Sequence, residues 1–104
     1  MKIEYLSLKK ITALHGEEIL EAVRRITESG WYLRGAATQD FENNYAHFIG
    51  SRHCVACGNG YDALWLMLRA YVLLGRLHQG DEIIVPANTF IATISAITEN
   101  GLTP

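Results

Sequence analysis

A chain of 104 residues, 49% hydrophobic and 19% charged, holds enough apolar material for one modest core. Its formal charge of -2, with lysine and arginine scattered along the chain, creates no field that would gather a polyanion, so nucleic acid is not an expected partner. Residues 1–14 lack the continuous apolar run of a signal peptide, and the longest apolar stretch, 63–77, is broken by Arg69 and Arg76. That stretch is shorter than the roughly 20 residues that span a bilayer, so the expectation is a cytoplasmic protein with no membrane partner.

In chain order, Ile19, Leu20, Val23 and Ile26 fall at helical spacing and predict an amphipathic helix over 17–29, stopped by Gly30. The connector 31–37 is irregular. Thr38 is the expected cap of a second helix with Phe41, Tyr45 and Phe48 on one face and Gly50 as its stop. Residues 53–57 form a strand candidate that leads through Gly58-Asn59-Gly60 into a helix over 62–77, apolar on all sides and therefore expected to be buried. The run 82–85 reads as a buried strand ended by Pro86, and Asn88 or Thr89 can cap a last helix that runs to Asn100 and stops at Gly101. This order predicts an α/β fold with a parallel βαβ core, in one domain over 1–104 without an internal boundary. Leu102-Thr103-Pro104 lead away from the last helix toward a further connection or strand. Parallel sheets are covered on both faces, and two strands with four helices cover each other poorly. The expectation is an incomplete sheet whose partners come from more chain or from another subunit.

The strand, the Gly58-Asn59-Gly60 turn and the helix after it would present backbone N–H groups to a phosphate, with glycine permitting close approach. The same residues also fit a plain strand-to-helix turn. Taken literally, 58–63 matches G-x-G-x-x-G/A, so a small dinucleotide-binding oxidoreductase is an alternative, although the acid expected at the far end of the second strand is missing: Asp81 and Glu82 precede that strand. His53, Cys54 and Cys57, with His47, invite a metal or redox reading, but no second ligand pair stands at zinc spacing. Two small buried thiols and no metal are expected there. Trp31-Tyr32-Leu33-Arg34-Gly35 puts two aromatics and an arginine in a connector, where they could meet a ligand or partner, or only cover a helix end. A stand-alone interaction domain using that surface is a further alternative.

Three stretches in order resemble the DegT/StrS family of pyridoxal-phosphate-dependent sugar aminotransferases: Trp31-Tyr32-Leu33-Arg34-Gly35 followed by Phe41-Glu42; Gly58-Asn59-Gly60-Tyr61-Asp62-Ala63-Leu64; and 80–93, with Pro86-Ala87-Asn88-Thr89-Phe90-Ile91-Ala92-Thr93 at its end. The resemblance runs from about Ile3 onward and covers the front portion of the family's longer chains. It implies the N-terminal part of an aspartate-aminotransferase-like, fold type I large domain, with the active site at a homodimer interface. It further implies that Gly60, Tyr61 and Asp62 cradle the pyridoxal 5'-phosphate through backbone N–H groups. Tyr61 stands where the family more often has a hydroxyl residue. Phe90 matches the aromatic that stacks on the pyridine ring, and Tyr32 and Arg34 lie in the connector near the sugar-nucleotide site. The implied reaction moves an amino group, commonly from glutamate, to a nucleotide-linked keto-sugar, and the variant motifs are similar to those of members that aminate 3-keto-6-deoxyhexoses. No catalytic residue is assigned within the chain. The Schiff-base lysine of the family is expected beyond Pro104, because Lys2, Lys9 and Lys10 all precede the motifs, so this stretch alone is expected to be inactive.

Overall fold

The computed structural model describes residues 5–104; Lys2 and the start of the resemblance at Ile3 lie outside them. The chain divides into two compact units, Met1–Cys54 and Val55–Pro104.

The first unit carries α1 (Leu8–Ala13), α2 (Gly16–Ser29) and α3 (Ala36–Ile49). The short α1 is absent from the expectations above, since six residues are too few to develop an apolar stripe. The helix expected over 17–29 is α2. Glu17 and Glu18 complement the dipole in its first turn, and Gly30 closes it with φ 66°, a left-handed angle that costs glycine least. Thr38 does not cap α3: the cap position lies three residues earlier, at Gly35, which supplies no side-chain cap. A Cβ on Gly35 would meet the Trp31 carbonyl oxygen at 3.2 Å, so a larger residue there would crowd Trp31. Phe41, Tyr45 and Phe48 share a face as expected, yet all three are exposed. They cover one another instead of a core, with ring centroids 5.5 Å apart for Phe41 and Tyr45 and 6.3 Å for Tyr45 and Phe48.

The second unit carries α4 (Gly60–Leu73) and α5 (Ile91–Thr98). Its core is Leu68 of α4 with Ala96, Ile97 and Leu102, and Tyr61, Leu64, Trp65 and Val72 pack onto it at helical spacing along α4. Asn100 is 7% exposed and fastens the two helices, its Nδ2 donating to the carbonyls of Trp65 at 3.2 Å and Ala96 at 2.8 Å.

Three expectations fail here. No strand ladder forms among the described residues: 53–57 is irregular, and the run 82–85 contributes one isolated parallel bridge, Glu82 to Thr103. That bridge has regular parallel geometry, with the Thr103 N–H on the Asp81 carbonyl at 2.9 Å and the Ile83 N–H on the Thr103 carbonyl at 2.8 Å. The expected parallel βαβ core is thus reduced to one rung, because a ladder needs more paired backbone than 82–85 meets. The run 82–85 is not buried either: Ile83 and Val85 pack on the core, but Ile84 is 101% exposed. Nor is α4 buried all round, since Leu66, Met67 and Leu73 are exposed, as is Leu74 just after it.

Burial sorts these residues energetically. In this chain Ile97→Ala, at a side chain 2% exposed, should cost about 2–5 kcal/mol by urea unfolding, and Ile84→Ala less than about 0.5 kcal/mol. Equal costs would mean that 82–85 is covered.

Candidate functional site

Asn59 caps α4. Its Oδ1 accepts from the Asp62 N–H at 3.0 Å, its Nδ2 donates to Asp62 Oδ2 at 3.1 Å, and its carbonyl accepts from the Ala63 N–H at 3.1 Å. This reciprocal pair, an Asn with an acid three residues on, closes the turn tightly. A Cβ at Gly58 would stand 2.6 Å from Asp62 Oδ2, so a larger residue there would push that carboxylate aside. A Cβ at Gly60, by contrast, would meet nothing within 4 Å.

The backbone N–H groups of Gly60 and Tyr61, the first two of a 14-residue helix, have no intrahelical acceptor. Two N–H donors at the positive end of a helix dipole suit a phosphate, so the residues present fit that part of a pyridoxal phosphate. The third expected donor is different: the Asp62 N–H is already bound to Asn59.

Tyr61 sends its side chain away from the turn. Its hydroxyl donates to Glu99 Oε2 at the C-terminal cap of α5, 38 residues along the chain. That bond raises the phenol pKa above 10.0, helped by desolvation and by the negative charges of Glu99 and Asp62. Neither Asn59 as a cap nor Glu99 as a partner emerged from the sequence reading. The Asn-x-x-Asp spacing signals the first, whereas no local pattern signals a contact between residues 61 and 99.

Phe90 is 78% exposed and lies outside the core cluster of this unit. It occupies the N-cap position of α5, and the Thr89 hydroxyl expected to cap that helix pairs instead with the Thr93 hydroxyl at 2.9 Å. Phe90 and the Glu99 that holds Tyr61 therefore mark opposite ends of α5, about 13 to 14 Å apart at the helical rise. The fold brings Gly60, Tyr61 and Asp62 together and leaves Phe90 at the far end of that helix.

In the first unit, Arg34 has φ 51°, a left-handed angle rare outside glycine, and Tyr32 lies exposed with its hydroxyl 3.4 Å from the Thr27 carbonyl. A cleft of about 220 Å³ runs beside the connector, lined by Arg25, Ile26, Ser29, Trp31, Ala36, Ala37 and Asp40. Trp31 lines it, its indole N–H fixed on the Leu33 carbonyl at 2.9 Å, whereas Tyr32 and Arg34 do not. The expected pair of buried thiols is corrected: Cys54 is half-buried and Cys57 is exposed, its thiol 3.4 Å from the Asn59 carbonyl. No group of three or more His, Cys, Asp or Glu among the described residues could hold a metal ion.

Residues 13–104 match the DegT/DnrJ/EryC1/StrS aminotransferase family. The chain belongs to that family. Among its DegT-family relatives is the dTDP-3-amino-3,6-dideoxy-alpha-D-galactopyranose transaminase of Aneurinibacillus thermoaerophilus, 45% identical over 98% of this chain and 27% of its own. The erythromycin biosynthesis sensory transduction protein EryC1 of Saccharopolyspora erythraea is 42% identical over the whole chain and 27% of its own. The dTDP-3-amino-3,4,6-trideoxy-alpha-D-glucose transaminase of Streptomyces venezuelae is 37% identical over 99% of this chain and 26% of its own. The chain thus spans about a quarter of the length of these relatives. No helix among the described residues is long and apolar enough to cross a membrane.

The Tyr61–Glu99 bond has a pH signature. A phenol pKa raised in the folded chain means that folding favours the protonated phenol, so the contribution is fully present below pH 10.0 and lost as pH climbs through the raised value. Ultraviolet titration should show one tyrosine ionising later than the others, and Tyr61→Phe should remove that late transition; a titration unchanged by the substitution would refute the assignment.

Proposed function

We propose that this chain is the N-terminal part of the large domain of a fold type I, pyridoxal-phosphate-dependent aminotransferase that moves an amino group, commonly from glutamate, to a nucleotide-linked keto-sugar. The observation that carries the reading is the Gly58-Asn59-Gly60 turn. It opens a 14-residue helix, leaves two N–H groups without an acceptor, and has open space at Gly60, within a chain of which residues 13–104 match a family of aminotransferases. The relatives' names support the substrate class: two of the three described above are transaminases of dTDP-linked amino sugars. Neither the dinucleotide-binding oxidoreductase nor the stand-alone interaction domain has comparable support.

Pyridoxal phosphate, when bound, supplies the electron sink and the carrier for the amino group. The chain's own part is to hold and orient it. The Gly60 and Tyr61 N–H groups bind the phosphate, and the helix dipole adds to their field. Asp62 acts one bond behind them, keeping Asn59 in the turn so that the first helical turn cannot fray. Phe90, exposed at the start of α5, offers its ring face to the planar cofactor. Tyr32 and Arg34, with Trp31 beside them, serve the sugar-nucleotide end. The proton-shuttling lysine and the acid that partners the pyridine nitrogen come from beyond Pro104 in this reading, in a cytoplasmic homodimer.

Two substitutions in the full-length protein test the cofactor residues. Gly60→Val fills the space in front of the two donors, and loss of one hydrogen bond to a charged group, about 1.5–3 kcal/mol, should weaken pyridoxal phosphate binding roughly 10- to 150-fold. An unchanged dissociation constant with intact circular dichroism would make the turn a connection only. Phe90→Ala should weaken cofactor retention about threefold to tenfold and Phe90→Tyr much less, both at little cost to the stability of the cofactor-free protein. If cofactor-free stability instead drops by about 3–5 kcal/mol while affinity holds, Phe90 is a packing residue.

A further inference from the structure

Tyr61 is the second residue of α4, between Gly60 and Asp62. Its ring packs on the cluster of Leu68, Ala96, Ile97 and Leu102, and its hydroxyl donates to Glu99.

Glu99 gains little from its own position. A carboxylate at the C-terminal cap of a helix faces the negative end of the dipole, which disfavours it. The phenol is the hydrogen-bond partner that offsets this. The turn, in turn, needs an anchor. Gly60 opens the helix, and glycine has more backbone freedom to lose than any other residue, so the first turn frays easily unless it is tied down. The Asn59–Asp62 pair ties it locally, within four residues. The Tyr61–Glu99 bond ties it to a different helix.

We infer that Glu99 is a positioning residue for the turn: by accepting the Tyr61 phenol hydrogen at the end of α5 it ties the first turn of α4 to a second helix and so holds the Gly60 and Tyr61 N–H groups in place for an anion. The inference rests on the reading of this turn as the cofactor's phosphate cradle. The direction of the phenol pKa, raised first by the bond to Glu99, agrees with the phenol acting as the donor in that bond.

The test compares two ligands in the full-length protein, pyridoxal phosphate and pyridoxal, which share the ring and aldehyde and differ by the phosphate. The ratio of their dissociation constants isolates what the phosphate contributes. Glu99→Ala should reduce that ratio roughly tenfold, the equivalent of one hydrogen bond to a charged group, and leave pyridoxal binding unchanged. Glu99→Gln keeps an acceptor and should hold the ratio within about threefold. Tyr61→Phe should match Glu99→Ala, and the double variant should be no worse than either, since the two side chains act as one unit. Should Glu99→Ala not fold, Tyr61→Phe with Glu99→Gln carries the same comparison. The inference is overturned if these variants leave the ratio unchanged or weaken both ligands equally, as loss of general packing would. Gly60→Val separates the two levels: if it collapses the ratio and Glu99→Ala does not, only the positioning role falls, whereas if Gly60→Val also leaves the ratio intact, the phosphate reading falls with it.

Discussion

The packing of α5 across α4 organises the second unit. Ala96 and Ile97 meet Leu68, Leu102 closes the cluster after the chain leaves α5, and Asn100 bonds both helices from within it. Asn100 Nδ2 donates to one carbonyl of each helix and so ties them together, while its Oδ1 is buried without a partner among the described residues, which offsets part of that gain. The position of the glycine turn follows from this packing, because Tyr61 lies on the same face of α4 as Leu64, Trp65 and Leu68. The end of α4 that bears the open N–H groups is thereby joined to the end of α5 that bears Glu99.

Much of the helical structure is legible in the sequence because it depends on local chemistry. Gly30 and Gly50 stop α2 and α3 where the sequence places the stops, with φ of 66° and 70°. The glycine turn before α4 is legible for the same reason. The cap of α3 is not, because Gly35 has no capping side chain to mark the position. The strands are misjudged for a physical reason of another kind. A β-branched run such as 82–85 expresses a fit to a pleated, covered surface, and that surface must be supplied by neighbouring strands. Where one rung is all the pairing available, the same residues stay extended and half open. The Tyr61–Glu99 contact joins residues 38 apart, beyond the reach of any periodicity argument.

Electrostatics at the turn balances two opposing contributions. The helix dipole and two free N–H groups attract an anion, while the carboxylates of Asp62 and Glu99 lie near enough to disfavour ionisation of the Tyr61 phenol. Each carboxylate is engaged by a hydrogen bond of its own, from Asn59 Nδ2 and from the Tyr61 hydroxyl. Bonded in this way, they serve as fixed braces behind the turn, and the space at Gly60 remains the open side.

The single rung between Glu82 and Thr103 also sets a phase. Side chains along an extended chain alternate with a period of two, so one fixed pairing determines the face of every neighbour. Ile83 and Val85 point to the helices and Ile84 to the opposite side. A slip of one residue would exchange them, placing Ile84 on the core and stripping two apolar side chains from it. The rung thus acts as a gauge for anything that pairs with 82–85 later: the incoming backbone inherits the alternation, and Ile84 marks a second apolar layer on the side away from α4 and α5.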